Sequence, residues 1–89
     1  MQLGMIGLGR MGINMVGRLM KAGNECVVYD PRAEAVQTSR SQGAVGTSSL
    51  EELVARLATP RVIWLMVPAA LVDEILSKIA SLAEAGDII

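Results

Sequence analysis

Short runs of apolar residues alternate along this chain with longer segments in which apolar residues recur every three or four positions. The continuous runs predict strands at residues 2–6, 25–29, 44–46 and 61–67, with the start of a fifth at residues 87–89. The helical spacing predicts helices over residues 10–22, 32–42, 50–57 and 69–82. Because strand and helix alternate strictly, the sequence predicts an α/β doubly wound parallel sheet with right-handed crossovers and strand order 3-2-1-4-5.

Glycine, proline and capping residues mark the ends of these elements. Gly23 and Gly43 follow the first two helices, and Pro68 ends the fourth strand. Asp30 and Pro31 predict the start of the second helix, with Asp30 as N-cap and Pro31 at the first helical position. Two overlapping capping boxes precede the third helix: Ser48 with Glu51, and Ser49 with Glu52.

A glycine-rich turn joins the first strand to the first helix: Gly7, Leu8, Gly9, Arg10, Met11 and Gly12. The G-x-G-x-x-G spacing between a strand and a helix predicts a dinucleotide-binding fingerprint of the Rossmann type. We expect Gly7 to permit the tight turn, Gly9 to let a pyrophosphate approach the backbone, and Gly12 to let the helix pack on the strand. The pyrophosphate would lie at the helix N-terminus, whose free N–H groups and dipole favour an anion. A purely structural turn is the alternative.

Asp30 closes the second strand eighteen residues after Gly12, where such fingerprints place the acid that binds the adenosine ribose. A carboxylate there would repel the 2′-phosphate of NADP by roughly 4 kcal/mol per charge pair at ~4 Å and an effective dielectric of ~20, so NAD is favoured over NADP. Arg32 complicates this preference, because its guanidinium could pair with that phosphate if Asp30 turned away. Arg10, inside the glycine turn, could face phosphate or ribose, or lie in solvent.

The residues after the fourth strand complete the candidate site. In the predicted strand order the first and fourth strands are neighbours, so the glycine turn and Pro68 lie side by side at the carboxyl edge of the sheet. Val67, Pro68 and Ala69 would form an apolar wall near the nicotinamide. The alternative is a proline that only ends the strand and starts the last helix. Trp64, in the middle of that strand, is expected to pack in the core.

Composition and charge narrow the class of protein. Of the 89 residues, 52% are hydrophobic and 19% are charged, which suits one α/β domain whose sheet is covered on both faces. A net charge of −1 with scattered Lys and Arg predicts no nucleic-acid partner, and the longest apolar run is too short to span a membrane. With one cysteine, no histidine and no secretory signal pattern, we expect a cytoplasmic protein without a disulfide or a histidine-bound metal.

Four segments together resemble the N-terminal domain of 6-phosphogluconate dehydrogenases, and most of all their shorter, bacterial-type branch: residues 5–16, 28–30, 62–69 and 86–89. The glycine turn is shared with the wider 3-hydroxyacid dehydrogenase superfamily, whereas Trp-Leu-Met-Val-Pro-Ala at residues 64–69 narrows the resemblance. In that family the domain binds NADP or NAD, and the enzyme oxidises and decarboxylates 6-phosphogluconate to ribulose 5-phosphate, a reaction of the pentose phosphate pathway. The resemblance puts the cofactor loop at the glycine turn, the adenosine ribose at Asp30 and the nicotinamide-side loop at residues 67–69. Many NADP-using members have Asn-Arg-Thr where this chain has Asp-Pro-Arg, so the resemblance also favours NAD.

The resemblance also implies parts that these residues do not include. The family's Asp-Gly-Gly-Asn-Ser substrate loop, catalytic lysine and helical dimerising domain would follow Ile89, so we expect residues 1–89 to be a partial NAD(P)-binding domain without catalytic residues or turnover of its own. A sugar-phosphate substrate would bind only in a full-length form, and the apolar edge of the interrupted fifth strand could promote self-association. Two alternatives stay open: a 3-hydroxyisobutyrate dehydrogenase-like reductase domain, and a stand-alone, non-catalytic nucleotide-binding module.

Overall fold

A computed structural model describes residues 2–57 and 61–81 of the chain, and these residues form strands and helices in strict alternation. The elements are β1 (Gln2–Ile6), α1 (Arg10–Lys21), β2 (Glu25–Tyr29), α2 (Ala33–Ser41), β3 (Val45–Gly46), α3 (Leu50–Arg56), β4 (Ile63–Leu65) and α4 (Ala69–Ala80). The predicted α/β class is therefore confirmed. The strand predicted at residues 87–89 lies outside the described residues.

The four described strands make one parallel sheet in the order β3-β2-β1-β4. Ile6, the last residue of β1, is level with Tyr29 at the end of β2 and with Leu65 at the end of β4. The predicted order is confirmed for these four strands. It brings the carboxyl ends of β1, β2 and β4 to one edge, where ligands bind in open α/β sheets.

Apolar side chains cover both faces of the sheet, as a buried parallel sheet requires. On one face α1 and α2 pack against the sheet, in a cluster that includes Met5, Val16, Cys26, Val28 and Ala35. On the other face α3 and α4 pack, in a cluster that includes Ile6, Val27, Leu53, Val54 and Ile79. Burial of each Val, Leu, Ile or Met side chain in these clusters contributes about 1.5–3 kcal/mol, so the two clusters fix the helices on the sheet.

The start of the second helix differs from the prediction. Helix α2 begins at Ala33 with Arg32 as its N-cap, so Asp30 is not the N-cap and Pro31 is not in the first turn. The carboxylate of Asp30 instead accepts hydrogen bonds from the backbone N–H groups of Leu8 and Arg32. Because those bonds hold the residues after β2 in a turn, the helix starts three residues beyond Asp30.

Two further details of the predicted elements are altered in the structure. Ser49 caps α3 as predicted, accepting from the backbone N–H of Glu52 at 3.0 Å, but the Glu52 carboxylate returns to Ser48 rather than to Ser49. Strand β4 spans three residues instead of seven, and Trp64 is 47% exposed rather than packed in the core. Trp64 is level with Met5 in the register of β1 and β4.

Gly7 occupies the turn between β1 and α1 with a φ of 100°, in the left-handed region that favours glycine. A Cβ at this position would also collide with the backbone carbonyl of Met66, which follows β4. Gly12 is equally confined, because its Cβ would meet the carbonyl of Gly7. The tight turn at Gly7 and the close packing at Gly12 agree with the roles expected from the sequence.

We expect Gly7→Ala to lower the free energy of unfolding by about 2–5 kcal/mol, through backbone strain together with the collision at Met66. Gly23→Ala is the matched control: Gly23 has a φ of 93° with no atom within 4 Å of an added Cβ. Gly23→Ala should therefore lower the free energy of unfolding through backbone strain alone, by about 1–2 kcal/mol. Urea denaturation of the two variants measures the difference, and equal losses would contradict the close approach of the turn to β4.

Candidate functional site

The glycine turn presents unpaired backbone N–H groups at the start of α1. The first bond within the helix runs from Ile13 N to Gly9 O at 2.9 Å, so the N–H groups of Arg10, Met11 and Gly12 precede the hydrogen-bond ladder. The first turn of α1 contains no acidic residue and no side-chain cap. The positive end of the helix dipole is therefore uncompensated and suited to an anion.

Gly9 is the most open of the three turn glycines. Its φ is −66°, which any residue adopts, and an added Cβ would find no atom within 4 Å. Nothing in the described protein therefore requires glycine at this position. The open space in front of Gly9 fits a group that must approach the backbone closely, as a pyrophosphate does.

Asp30 directly follows β2, and the residue as a whole is 7% exposed. Oδ2 accepts from Leu8 N at 2.7 Å, and Oδ1 accepts from Arg32 N at 2.8 Å. The guanidinium of Arg32 adds two bonds, from Nε to Oδ1 at 3.0 Å and from Nη2 to Oδ2 at 3.2 Å. The acid therefore connects the glycine turn to the residues that precede α2.

These contacts set the charge of the acid. Burial alone would raise the pKa of Asp30, but the hydrogen bonds from Arg32 and Leu8 outweigh it and hold the pKa below its usual range. The same ion pair raises the pKa of Arg32. Asp30 is therefore a fixed negative charge at neutral pH, with a cation beside it.

Two cavities meet in front of the glycine turn. A cavity of about 560 Å³ is lined by six of the predicted site residues, namely Gly7, Gly9, Asp30, Arg32, Val67 and Pro68. A second, of about 430 Å³, is lined by Gly9, Arg10, Met11, Gly12 and Val67, among others. Gly9 and Val67 border both cavities, so one extended ligand could cross from the first to the second in front of the glycine turn.

The remaining predicted residues hold different positions. Leu8 is 1% exposed and lines neither cavity, but its N–H fixes Asp30. Met11 is 72% exposed, and Arg10 is exposed without a hydrogen bond or ion pair to another residue in the described ranges. Ala69 is the first residue of α4, directly after its N-cap Pro68.

The sequence analysis did not predict that α3 and α4 form one wall of the larger cavity. Leu50 of α3 and Leu71, Ile75 and Lys78 of α4 line it, and Leu71 is 43% exposed. The helical spacing of Leu71 and Ile75 was available in the sequence, but it predicts a core face equally well. Only the position of α4 beside the end of β4 turns that face toward the cavity.

Other kinds of site are not found among the described residues. They include no group of three or more acidic, cysteine or histidine side chains placed to hold a metal ion. No helix in the described ranges is long and apolar enough to cross a membrane.

The fold and the glycine turn define a dinucleotide-binding α/β domain, and comparison with known proteins identifies its family. Residues 2–89 match the family model of the NAD binding domain of 6-phosphogluconate dehydrogenase. The chain belongs to this family, which confirms the resemblance noted in its sequence. It is an NAD-binding domain of the 6-phosphogluconate dehydrogenase type.

Individual relatives agree with this assignment. An NAD(+)-dependent, decarboxylating 6-phosphogluconate dehydrogenase of Haloferax volcanii is 52% identical over 69 residues, covering 78% of this chain and 23% of that protein. An NADP(+)-dependent one of Bacillus subtilis is 40% identical over 72 residues, covering 76% and 15%. The solved 3-hydroxyisobutyrate dehydrogenase of Mycobacterium tuberculosis superposes with a TM-score of 0.83 at 26% identity, covering 93% and 28%. This chain thus spans less than a third of the length of each relative.

The lowered pKa of Asp30 predicts a dependence of stability on pH. The pKa of an aspartate in the unfolded chain is about 3.9, and the pKa of Asp30 in the folded protein is lower. The stabilisation that Asp30 gives the folded state is therefore complete above about pH 4 and is lost as the pH falls through the folded pKa. Asp30→Asn should lower the free energy of unfolding by about 1–3 kcal/mol at neutral pH, and this difference from the wild type should shrink below about pH 4. Asp73→Asn, at an exposed position of α4, is the control and should leave the acid limb unchanged. A difference that stays constant down to pH 2 would contradict the ionised, bonded state of Asp30.

Proposed function

We propose that the chain binds a nicotinamide dinucleotide along the carboxyl edge of its sheet. The pyrophosphate lies in front of Gly9, where the N–H groups of Arg10, Met11 and Gly12 donate to it. The adenosine ribose lies at Asp30, and the nicotinamide lies beside residues 67–69, of which Val67 lines both cavities. The observation that carries this proposal is the open backbone at Gly9, next to a helix N-terminus with no acidic residue or side-chain cap.

We propose that NAD(H) is preferred to NADP(H). The carboxylate of Asp30 is buried and ionised, and an added 2′-phosphate would lie against it. Arg32 reduces the preference, because its cation is within reach of the same phosphate. The relatives are named for both cofactors, so the order of affinities is a prediction for this chain.

We propose that the domain serves an oxidoreductase acting on 6-phosphogluconate, as its named relatives do. When bound, NAD would supply the hydride acceptor for the oxidation of 6-phosphogluconate, whose decarboxylation product is ribulose 5-phosphate. The described residues bind and orient the cofactor. The cytoplasmic location, the place in the pentose phosphate pathway and self-association stay predictions.

A second candidate is a reductase of the 3-hydroxyisobutyrate dehydrogenase type, which the superposition favours on fold alone. The two candidates differ in substrate rather than in cofactor chemistry. A protein that carries this domain should reduce NAD with 6-phosphogluconate and not with 3-hydroxyisobutyrate. The opposite preference would favour the second candidate, and cofactor binding without either activity would favour a non-catalytic module.

Gly9→Ala tests the binding proposal directly. A methyl group at this position meets no protein atom, so the free energy of unfolding should change by less than about 1 kcal/mol. It fills the space that the pyrophosphate needs, so the affinities for NAD(H) and NADP(H) should both fall by about tenfold or more, a loss of about 1.4 kcal/mol. Isothermal titration calorimetry with each cofactor measures the loss, and in the wild type NAD(H) should bind more tightly.

Gly17→Ala is the matched control, because it makes the same substitution on α1 away from the glycine turn and the nearest atom to its Cβ is 4.0 Å away. This variant should bind both cofactors like the wild type. Unchanged affinity in Gly9→Ala would mean that the glycine sequence is only a structural turn.

A further inference from the structure

The guanidinium of Arg32 occupies the carboxylate at which the ribose is proposed to bind. Asp30 accepts four hydrogen bonds, two from backbone N–H groups and two from the Arg32 side chain. An ionised carboxylate has about four acceptor positions. The acid is therefore saturated before any ligand arrives.

The four bonds differ in how easily they are released. The N–H groups of Leu8 and Arg32 belong to the backbone of two turns, and Leu8 is 1% exposed. The side chain of Arg32 is 57% exposed, against 5% for that of Asp30. An exposed guanidinium can form hydrogen bonds with water when it leaves the carboxylate, whereas the backbone N–H groups cannot leave without moving the turns. The guanidinium is therefore the replaceable partner.

We propose that Arg32 is a specificity-determining residue that competes with the adenosine ribose for Asp30; this rests on the proposed function. Departure of the guanidinium frees one acceptor position on Oδ1 and one on Oδ2. Two freed positions match the two neighbouring hydroxyls of the adenosine ribose of NAD. The backbone bonds meanwhile keep the carboxylate in place.

The same movement has the opposite effect on NADP. A guanidinium that leaves Asp30 remains within reach of a 2′-phosphate and can bind it through two parallel hydrogen bonds. Arg32 therefore lowers the affinity for NAD and raises the affinity for NADP. The ratio of NAD to NADP affinity is therefore smaller than the carboxylate of Asp30 alone would produce.

Arg32→Ala tests this competition. In calorimetric titrations the variant should bind NAD⁺ about three- to fivefold more tightly than the wild type, because the ribose no longer displaces an ion pair. It should bind NADP⁺ about tenfold less tightly, because the phosphate loses its cation. Arg18→Ala removes the same charge from the last turn of α1, and neither affinity should change.

Asp30→Asn provides the background that isolates the mechanism. If Arg32 acts through Asp30, then adding Arg32→Ala to Asp30→Asn should give no gain in NAD⁺ affinity. A gain that persists in this background would overturn the proposal, because it would place the effect of Arg32 elsewhere. Circular dichroism of each variant confirms that the comparison is made between folded proteins.

The outcomes also separate this proposal from the proposed function. If the wild type binds both cofactors but Arg32→Ala binds NAD⁺ equally or less tightly, only the proposed competition is overturned. Arg32 would then either have no effect on NAD⁺ or bind it directly. Failure of the wild type to bind either cofactor would overturn the proposed function and the competition with it.

Discussion

The hydrogen bond from Leu8 N to the carboxylate of Asp30, at 2.7 Å, joins the two segments that form the candidate site. It ties the turn after β1 to the end of β2, across 22 residues of sequence. A buried carboxylate is costly unless its oxygens are bonded, so the position of Asp30 depends on Leu8 and Arg32, and theirs depends on it. The geometry of the proposed pyrophosphate and ribose positions follows from this one contact.

The sheet makes that contact possible. Because β1 lies between β2 and β4 with their ends level, the glycine turn, Asp30 and the residues after β4 reach the same edge. Gly7 then lets the chain turn beside the carbonyl of Met66 without a side chain between them. The helices on each face hold the sheet, but the backbone of the turn shapes the site.

Local patterns were sufficient to predict most of the fold. The spacing of apolar residues and the glycines at helix ends are local signals, because each involves only residues a few positions apart. These signals correctly predict where β1, α1, β2 and α4 start. The start of α2 was wrong because Asp30 bonds to Leu8, a partner that local N-cap signals cannot reveal. The exposure of Trp64 was missed for a similar reason, because it depends on which distant elements cover its face of the sheet.

The sequence predicts which residues form the candidate site, but not which of their side chains pair with each other. The glycine spacing and the acid after β2 identify the positions, and the structure adds that Arg32 pairs with Asp30 rather than standing apart from it. Recognising that ion pair requires the distance between the two side chains, which the sequence does not give. The wall formed by Leu71 and Ile75 likewise needs the placement of α4 against the sheet.

The central claim is that a dinucleotide lies along the carboxyl edge of the sheet, in front of the glycine turn. Amide chemical shifts of ¹⁵N-labelled protein, followed during titration with NAD(H), test it most directly. We expect the amide signals of Leu8 to Gly12 to shift and saturate with the cofactor. Those of Gly23 and Gly43, which precede β2 and β3 at the opposite edge of the sheet, should stay in place. Shifts confined to Gly23 and Gly43, or an absence of saturable shifts in the glycine turn, would contradict it.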